Sequence, residues 1–447
     1  MDPSSDRLPD SASLQALLDQ VLDRARAGGA SAAEAQISRS RGLSLSIREG
    51  AVESLEFQSD RDLSVTVYRG QRRGSATTAD FSPGGLAEAV RAALTIATHT
   101  EEDPCAGLAP AARMARVFPP LDLDHPWDLS PEQAMDLARA SEAAALAHDP
   151  RIRHSEGASL SSHRGVSAYA NSHGFFGHRR GTQHSLSVAV IAEDGQGMQR
   201  DYWWDGGRDP ARLARPEAIG QRAAERAVAR LSPRRLSTRE SPVLFPPELA
   251  RGLFGSFLNA IAGSALYRRA SFLLDALGQP VFPAFLDLVQ EPHLPGAMAS
   301  SAYDQEGVAT ERRQLVEAGV LKGWLLSSYS ARKLGLETTG NAGGVYNLVV
   351  SPGRLDLDGL LAEMGEGLLV TELLGSGVNG VTGDYSRGAA GFWVEGGAIA
   401  YPVEGLTIAG NLRAMFAGIR AHGADVDARA GTRCGSLLLD RMTVAGD

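Results

Sequence analysis

The side chains in this 447-residue sequence that could hold a metal or attack a carbonyl are ten histidines, two cysteines and a few acid–hydroxyl neighbours. A hydrolytic metal centre needs several nitrogen, sulfur or carboxylate ligands on one ion, and a carboxylate base near the bound water. The two histidines nearest in sequence, His173 and His178, are separated by Gly174-Phe175-Phe176-Gly177, which supplies neither a helical frame nor a carboxylate. That spacing predicts a turn bearing two polar residues rather than a ligand pair. Gly375, Gly377 and Gly380 satisfy GxGxxG after an apolar run. The residues that follow, Thr382 to Gly388, lack helical periodicity, so no helix N-terminus would face a pyrophosphate, and a glycine-rich β-turn is expected. Ser386 stands beside Asp384 and Tyr385 but lacks a GxSxG setting and a neighbouring histidine. Cys434, in Arg433-Cys434-Gly435-Ser436, is a candidate thiol, although free cysteines more often pack as small hydrophobes.

The elements that would carry these residues are legible in part. Leu14, Leu17, Leu18, Val21, Leu22 and Ala25 recur at helical spacing and Gly28-Gly29 ends the run. Leu43, Leu45 and Ile47 alternate before a turn at Glu49-Gly50, and Leu63, Val65 and Val67 alternate before Gly70, giving an antiparallel meander. Ser82-Pro83 caps a helix to about Thr98, and Ser130-Pro131-Glu132-Gln133 opens another as a capping box, running to about His148. Between them, residues 103–126 read as connecting structure. Residues 151–193 alternate as strands and 217–230 are helical. A proline-containing basic stretch from Leu231 to Ser237 marks a domain junction. Beyond it, glycine-punctuated runs such as Leu368 to Leu374 and Gly391 to Val394 predict short strands, with 371–412 as a buried sheet-rich core. The expected class is α+β: N-terminal α/β-meander units with antiparallel sheet, then a barrel- or sandwich-like sheet-rich domain. The expected units are 1–125, 126–240 and 241–447. No fixed-period repeat is visible.

Composition narrows the function. Hydrophobic residues at 43% and charged residues at 22% are those of a folded globular chain. A net charge of -9 gives no general attraction to phosphate backbones, so direct nucleic-acid binding is not expected. Cys105 and Cys434 are far apart and frame no disulfide scaffold. No apolar run is long enough to span a bilayer and the N-terminus is acidic, so the cytoplasm is the expected compartment and no membrane partner is expected.

Several long segments together resemble the TldD/PmbA family, on its PmbA (TldE) branch. They are Val65-Thr66-Val67-Tyr68 with Gly74-Ser75-Ala76, Asp103-Pro104-Cys105-Ala106-Gly107, Asn171-Ser172-His173-Gly174 and Thr310-Glu311-Arg312-Arg313. Further on come the run from Ser328 to Leu336, the run from Gly383 to Glu395, and Ile408-Ala409-Gly410-Asn411-Leu412. The resemblance implies a cytoplasmic two-chain metallopeptidase acting on unfolded peptides. Roles described for such families are processing of a peptide-antibiotic precursor and removal of a labile antitoxin. The metal-bearing TldD branch carries HExxxH on a helix, and a distant cysteine completes its zinc site. The corresponding run here is Pro246 to Arg251, with Pro246 at the first ligand, Pro247 at the catalytic glutamate and Arg251 at the second ligand. Proline offers a metal no donor, and a guanidinium is always protonated. Cys434 resembles the third ligand and reads as a relic.

The resemblance therefore implies no catalytic residue, no metal and no other cofactor in this chain, and zinc in an HExxxH-bearing partner. The expected partner is a TldD-type paralogue in a heterodimer, or a second copy in a homodimer. The rival reading from another class is a peptide-binding or regulatory homodimer without proteolysis. A third, a hydrolase using Ser386 or Cys434, needs a nucleophile–base pair that the sequence does not show.

Overall fold

A computed structural model describes residues 8–446. The first amphipathic run forms helix α1 (Ser11–Ala27), whose N-cap is Asp10, accepting the Ser13 N–H at 2.8 Å. An antiparallel meander follows, β1 (Ala32–Arg48), β2 (Ala51–Arg69) and β3 (Arg72–Thr78), and then α2 (Pro83–His99) capped by Ser82. The same order then returns as α3 (Pro131–His148), β4 (Ile152–Asn171), β5 (Phe176–Asp194), β6 (Gly197–Gly207) and α4 (Pro216–Ala229). β1 pairs antiparallel with β4, so the six strands form one sheet in the order β3-β2-β1-β4-β5-β6. Each half is helix, three strands, helix, and the halves meet at the β1–β4 pair in a pseudo-two-fold arrangement.

The repetition lies in burial rather than in residue identity, which is why no repeat is readable in the sequence. Alternate residues of β1 all point to one face. Ala35 and Ile37 lie under α1 and α2, which dock through Leu14, Leu18, Val21 and Leu86. Leu43, Leu45 and Ile47 lie under α3 and α4, which dock through Ala134, Ala138, Ala145 and Ala223. The Ser130–Gln133 capping box is formed reciprocally, with Gln133 N–H on the Ser130 hydroxyl at 3.2 Å and Ser130 N–H on the Gln133 side chain at 2.9 Å. Ser130→Ala is expected to lower stability by about 1 kcal/mol, readable as a shift in a urea midpoint at unchanged slope.

The remaining chain contributes β7 (Arg239–Phe245), α5 (Pro247–Ala260), α6 (Gly263–Tyr267), β8 (Leu288–Gln290), β9 (Arg313–Glu317) and β10 (Val320–Leu321). After these come α7 (Ser328–Leu334), β11 (Leu348–Val350), α8 (Leu357–Met364), β12 (Gly367–Leu374), β13 (Asp384–Glu395) and β14 (Ala398–Asn411). The chain ends with α9 (Leu412–Ala417), β15 (Ile419–His422), β16 (Thr432–Arg433) and β17 (Leu437–Ala445). β14-β13-β12-β7-β17 lie in that order, and β14 pairs back onto β17 through Thr407–Ala445 and Ile408–Val444, closing a barrel-like ring with β15 outside it. Its core takes the α5 stripe Leu253, Phe254 and Phe257 against Phe282 and Phe416. The class is thus mixed α and β, with an antiparallel sheet and a barrel-like C-terminal region, as expected. Burial of 371–412 is only partial. Residues 374–382 are all exposed, Leu374 and Val381 by more than half, because the β12–β13 hairpin runs past the ring.

Two segments that carry the family resemblance meet in space. The guanidinium of Arg332 in α7 donates to the carbonyls of Cys105 and Gly107, each at 3.0 Å, and also to that of Leu108. The Tyr329 hydroxyl donates to Asp103 at 2.7 Å. The connector that sequence reading leaves structureless is thereby pinned to the C-terminal half.

Candidate functional site

β7 delivers the chain into Pro246, which stands at the N-cap of α5 with extended backbone, and Pro247 is the first helical residue. Prolines are tolerated there because the first helical N–H groups have no intrahelical acceptor. Arg251 follows one turn later, its guanidinium 6.0 Å from the Trp204 ring centre. Cys434 is buried beside the helix start and its thiol reaches the Pro247 carbonyl at 3.7 Å. The four positions singled out by the resemblance are therefore brought together around the first turn of α5.

The donor set there does not fit a zinc ion. Pro246 and Pro247 have no side-chain donor, and Arg251 carries a fixed positive charge. Burial and the nearby Asp427 carboxylate push the Cys434 thiol up to about 12, and one cysteine without partner ligands does not make a zinc site. Among the described residues, no group of three or more His, Cys, Asp or Glu side chains is placed to hold a metal.

A cleft of about 720 Å³ opens over this helix start, walled by both halves of the molecule. β6 and α4 supply Trp203 and Arg226; the C-terminal part supplies Pro246, Glu248, Phe392 and Arg429. Trp203 is ringed by guanidinium groups, Arg226 at 5.2 Å, Arg429 at 5.0 Å and Arg222 at 5.5 Å from its centre. Each of these cations has a carboxylate. Arg226 pairs with Asp201 at 3.1 Å and Glu248 at 3.6 Å, Arg222 with Glu225 at 3.3 Å, and Arg429 with Asp427 at 2.9 Å. Burial works against the Asp427 charge, but the hydrogen bonds from Arg429 hold its carboxyl below the usual range. Arg429 also donates to the Trp204 carbonyl at 2.8 Å. The charges around Trp203 are thus matched within the cleft, pair by pair.

The other sequence candidates lie elsewhere. His173 sits in a turn, its N–H on the Asn171 side chain at 3.1 Å. His178 does not: it lies in β5, stacked on Phe176, because the strand begins at Phe176 once the turn has closed. The glycine-rich run of 375–383 is a turn between β12 and β13, with positive φ at Gly375 and Gly383. The Asp384 carboxylate accepts the Thr382 hydroxyl at 2.6 Å and the Asn411 amide at 3.2 Å, so it orients a turn. Trp203, Arg226, Asp427 and Arg429 escaped sequence reading. The Trp203-Trp204 pair, in a chain of only five tryptophans, was the available signal.

Comparison with known proteins places the whole chain. The family descriptions PmbA/TldA metallopeptidase domain 1, central domain and C-terminal domain match residues 33–97, 124–231 and 238–446 in series. Metalloprotease PmbA of Escherichia coli O157:H7 is 49% identical over 94% of this chain and 93% of its own. Haemophilus influenzae carries a Metalloprotease PmbA homolog that is 44% identical over 96% of this chain and 95% of its own. The same organism carries a Metalloprotease TldD homolog, 24% identical over 82% of this chain and 80% of its own. A crystal structure from Bacteroides thetaiotaomicron, described as a modulator of DNA gyrase, superposes with a TM-score of 0.92 at 29% identity, covering 97% of this chain and 99% of that one.

Proposed function

This chain belongs to the PmbA/TldD metallopeptidase family, and from that premise we propose that it is the metal-free subunit of a cytoplasmic two-chain peptidase for unfolded peptides. The observation that carries the reading is the start of α5, where Pro246, Pro247 and Arg251 stand around a neutral Cys434 thiol. Water activation needs a metal held with an open position and a carboxylate base. That chemistry falls to a TldD-type partner, and the coexistence of both kinds of chain in one organism supports the pairing. This chain's share is to wall the chamber and to hold peptide. In this reading units 1–125 and 126–240 form a platform on their shared sheet, and unit 241–447 carries the altered motif.

The test is reconstitution. Zinc content and cleavage of a flexible casein-type substrate are measured for this chain, for an HExxxH-bearing paralogue, and for the mixture. Near-zero zinc and no cleavage are expected for this chain alone, with cleavage and one zinc per pair in the mixture. The Pro246→His/Pro247→Glu/Arg251→His variant is expected to stay metal-poor, since the helix start was built around prolines. Stoichiometric zinc with cleavage by the isolated wild-type chain overturns the reading, and a mixture no more active than the paralogue favours a regulatory homodimer.

A further inference from the structure

The two like halves of the N-terminal sheet differ at one edge. β3 pairs with β2 only from Leu63 to Arg69, so residues 51–62 have β1 on one side and no strand on the other. In the second half, β6 pairs with β5 from His184 to Asp194, which leaves the equivalent stretch, 176–183, similarly open. There residues 123–125 cover the end of the stretch next to β6. The Thr182 N–H donates to the Leu123 carbonyl at 2.9 Å, and the His125 N–H to the Thr182 hydroxyl at 2.9 Å. No such segment lies along residues 51–62 among the described residues.

That open edge is apolar on one face and acidic along its length. Val52, Leu55 and Phe57 are 42%, 39% and 71% exposed. They stand in register with Ile47, Leu45 and Leu43, which are buried under α3, so they form the uncovered margin of that core. Glu53, Glu56, Asp60 and Asp62 stand against one cation, Arg61, whose guanidinium lies over Phe81 at 5.6 Å. The edge is also held in place. The buried Glu142 of α3 accepts the N–H groups of Glu49 and Gly50 at the hairpin turn, at 2.8 and 2.7 Å. Folded proteins blunt long exposed strand edges, and one left open and apolar is a template for an added strand.

We propose that residues 51–62 of β2 are a docking edge for an extended, positively charged stretch of the unfolded peptide substrate. This rests on the reading that the complex acts on unfolded peptides. Backbone pairing accounts for an extended ligand of unspecified sequence. Opposite charges across the pair account for its basic character, and the apolar margin takes uncharged residues at alternate positions. A second copy is a poor occupant, since antiparallel self-pairing sets acidic strand against acidic strand.

The experiment uses the isolated full chain and a fluorescein-labelled peptide of alternating lysine and valine, read by anisotropy. Saturable binding is expected, weakening with added salt. The glutamate–valine peptide is expected to bind at least about tenfold more weakly. The lysine–valine peptide N-methylated at alternate residues, which keeps its charge but cannot pair along an edge, should lose binding. Glu56→Lys/Asp60→Lys should reverse the preference between the two charged peptides, and Phe57→Ser should weaken both; circular dichroism verifies folding. Equal binding of the N-methylated peptide, or a preference untouched by the charge reversal, overturns the proposal. So does a homodimer that Phe57→Ser dissociates, which would give the edge to a second copy. Because nothing is cleaved here, failed reconstitution of proteolysis and failed docking are separate results.

Discussion

Asp304→Ala is expected to lower the unfolding free energy by about 3–5 kcal/mol. The Asp304 side chain is almost fully buried, and its carboxylate knots two loops together. One oxygen accepts the N–H groups of Glu306 and Val308 at 2.9 and 3.0 Å, and the other accepts that of Ala342 at 2.9 Å. Alanine leaves these donors without an acceptor, at about 1–3 kcal/mol each before any relaxation. The same group predicts a pH dependence. Burial, with the Glu306 charge adding to it, lifts the Asp304 pKa to about 7 against the three N–H bonds that pull it down. A folded pKa above the unfolded value of 3.8 means the native state holds an extra proton in between. The contribution is therefore complete below the unfolded value and is lost as pH rises toward 7. Compared with Asp304→Asn, which cannot titrate, the wild type should lose about 1–2 kcal/mol between pH 5.5 and pH 8. Urea titrations of both proteins across that range check this, and parallel stability curves would refute it.

Asp201→Ala is the second large effect, again about 3–5 kcal/mol. Asp201 is buried in β6 and faces two arginines, Arg226 of α4 at 3.1 Å and Arg230 at the C-cap of α4 at 3.6 Å. Those arginines reach across to the C-terminal half, Arg226 to Glu248 at 3.6 Å and Arg230 to Glu372. Removing the buried carboxylate leaves each of these partly desolvated guanidinium groups with a single carboxylate, Glu248 for Arg226 and Glu372 for Arg230. Breaking such a group from one side costs more than replacing it whole. The Asp201→Ala/Arg230→Ala pair should then lose clearly less than the two single losses added together, as groups in one network do. Additive losses would show that the network is not what joins the halves.

How much of this was legible depended on range. Caps and periodicity are local, so α1, α2, α3 and α4 could be read from Leu14 to Ala25, Ser82-Pro83, Ser130 to Gln133 and residues 217–230. The pairing of β1 with β4 joins residues more than a hundred positions apart and has no local signature, so the duplicated sheet was invisible. The cleft was invisible for the same reason: Trp203, Glu248, Phe392 and Arg429 come from four distant segments. The glycines flanking Phe175-Phe176 predict a turn at His178, yet β5 already begins at Phe176. Asp304 is one acid among 53 acidic residues until its loops close around it. The altered motif was read from the resemblance, and the structure adds that Cys434 lies against it.

The proline pair at the head of α5 has a consequence for descent. In the proposed reading, a single back-substitution at Pro246, Pro247 or Arg251 restores one group of a site that works only when complete. No single step toward an HExxxH site then brings a gain on which selection could act, while a step at either proline disturbs a helix start fitted to it. In that reading the altered helix start works as a ratchet, holding this chain to a share in chemistry whose metal lies in a partner.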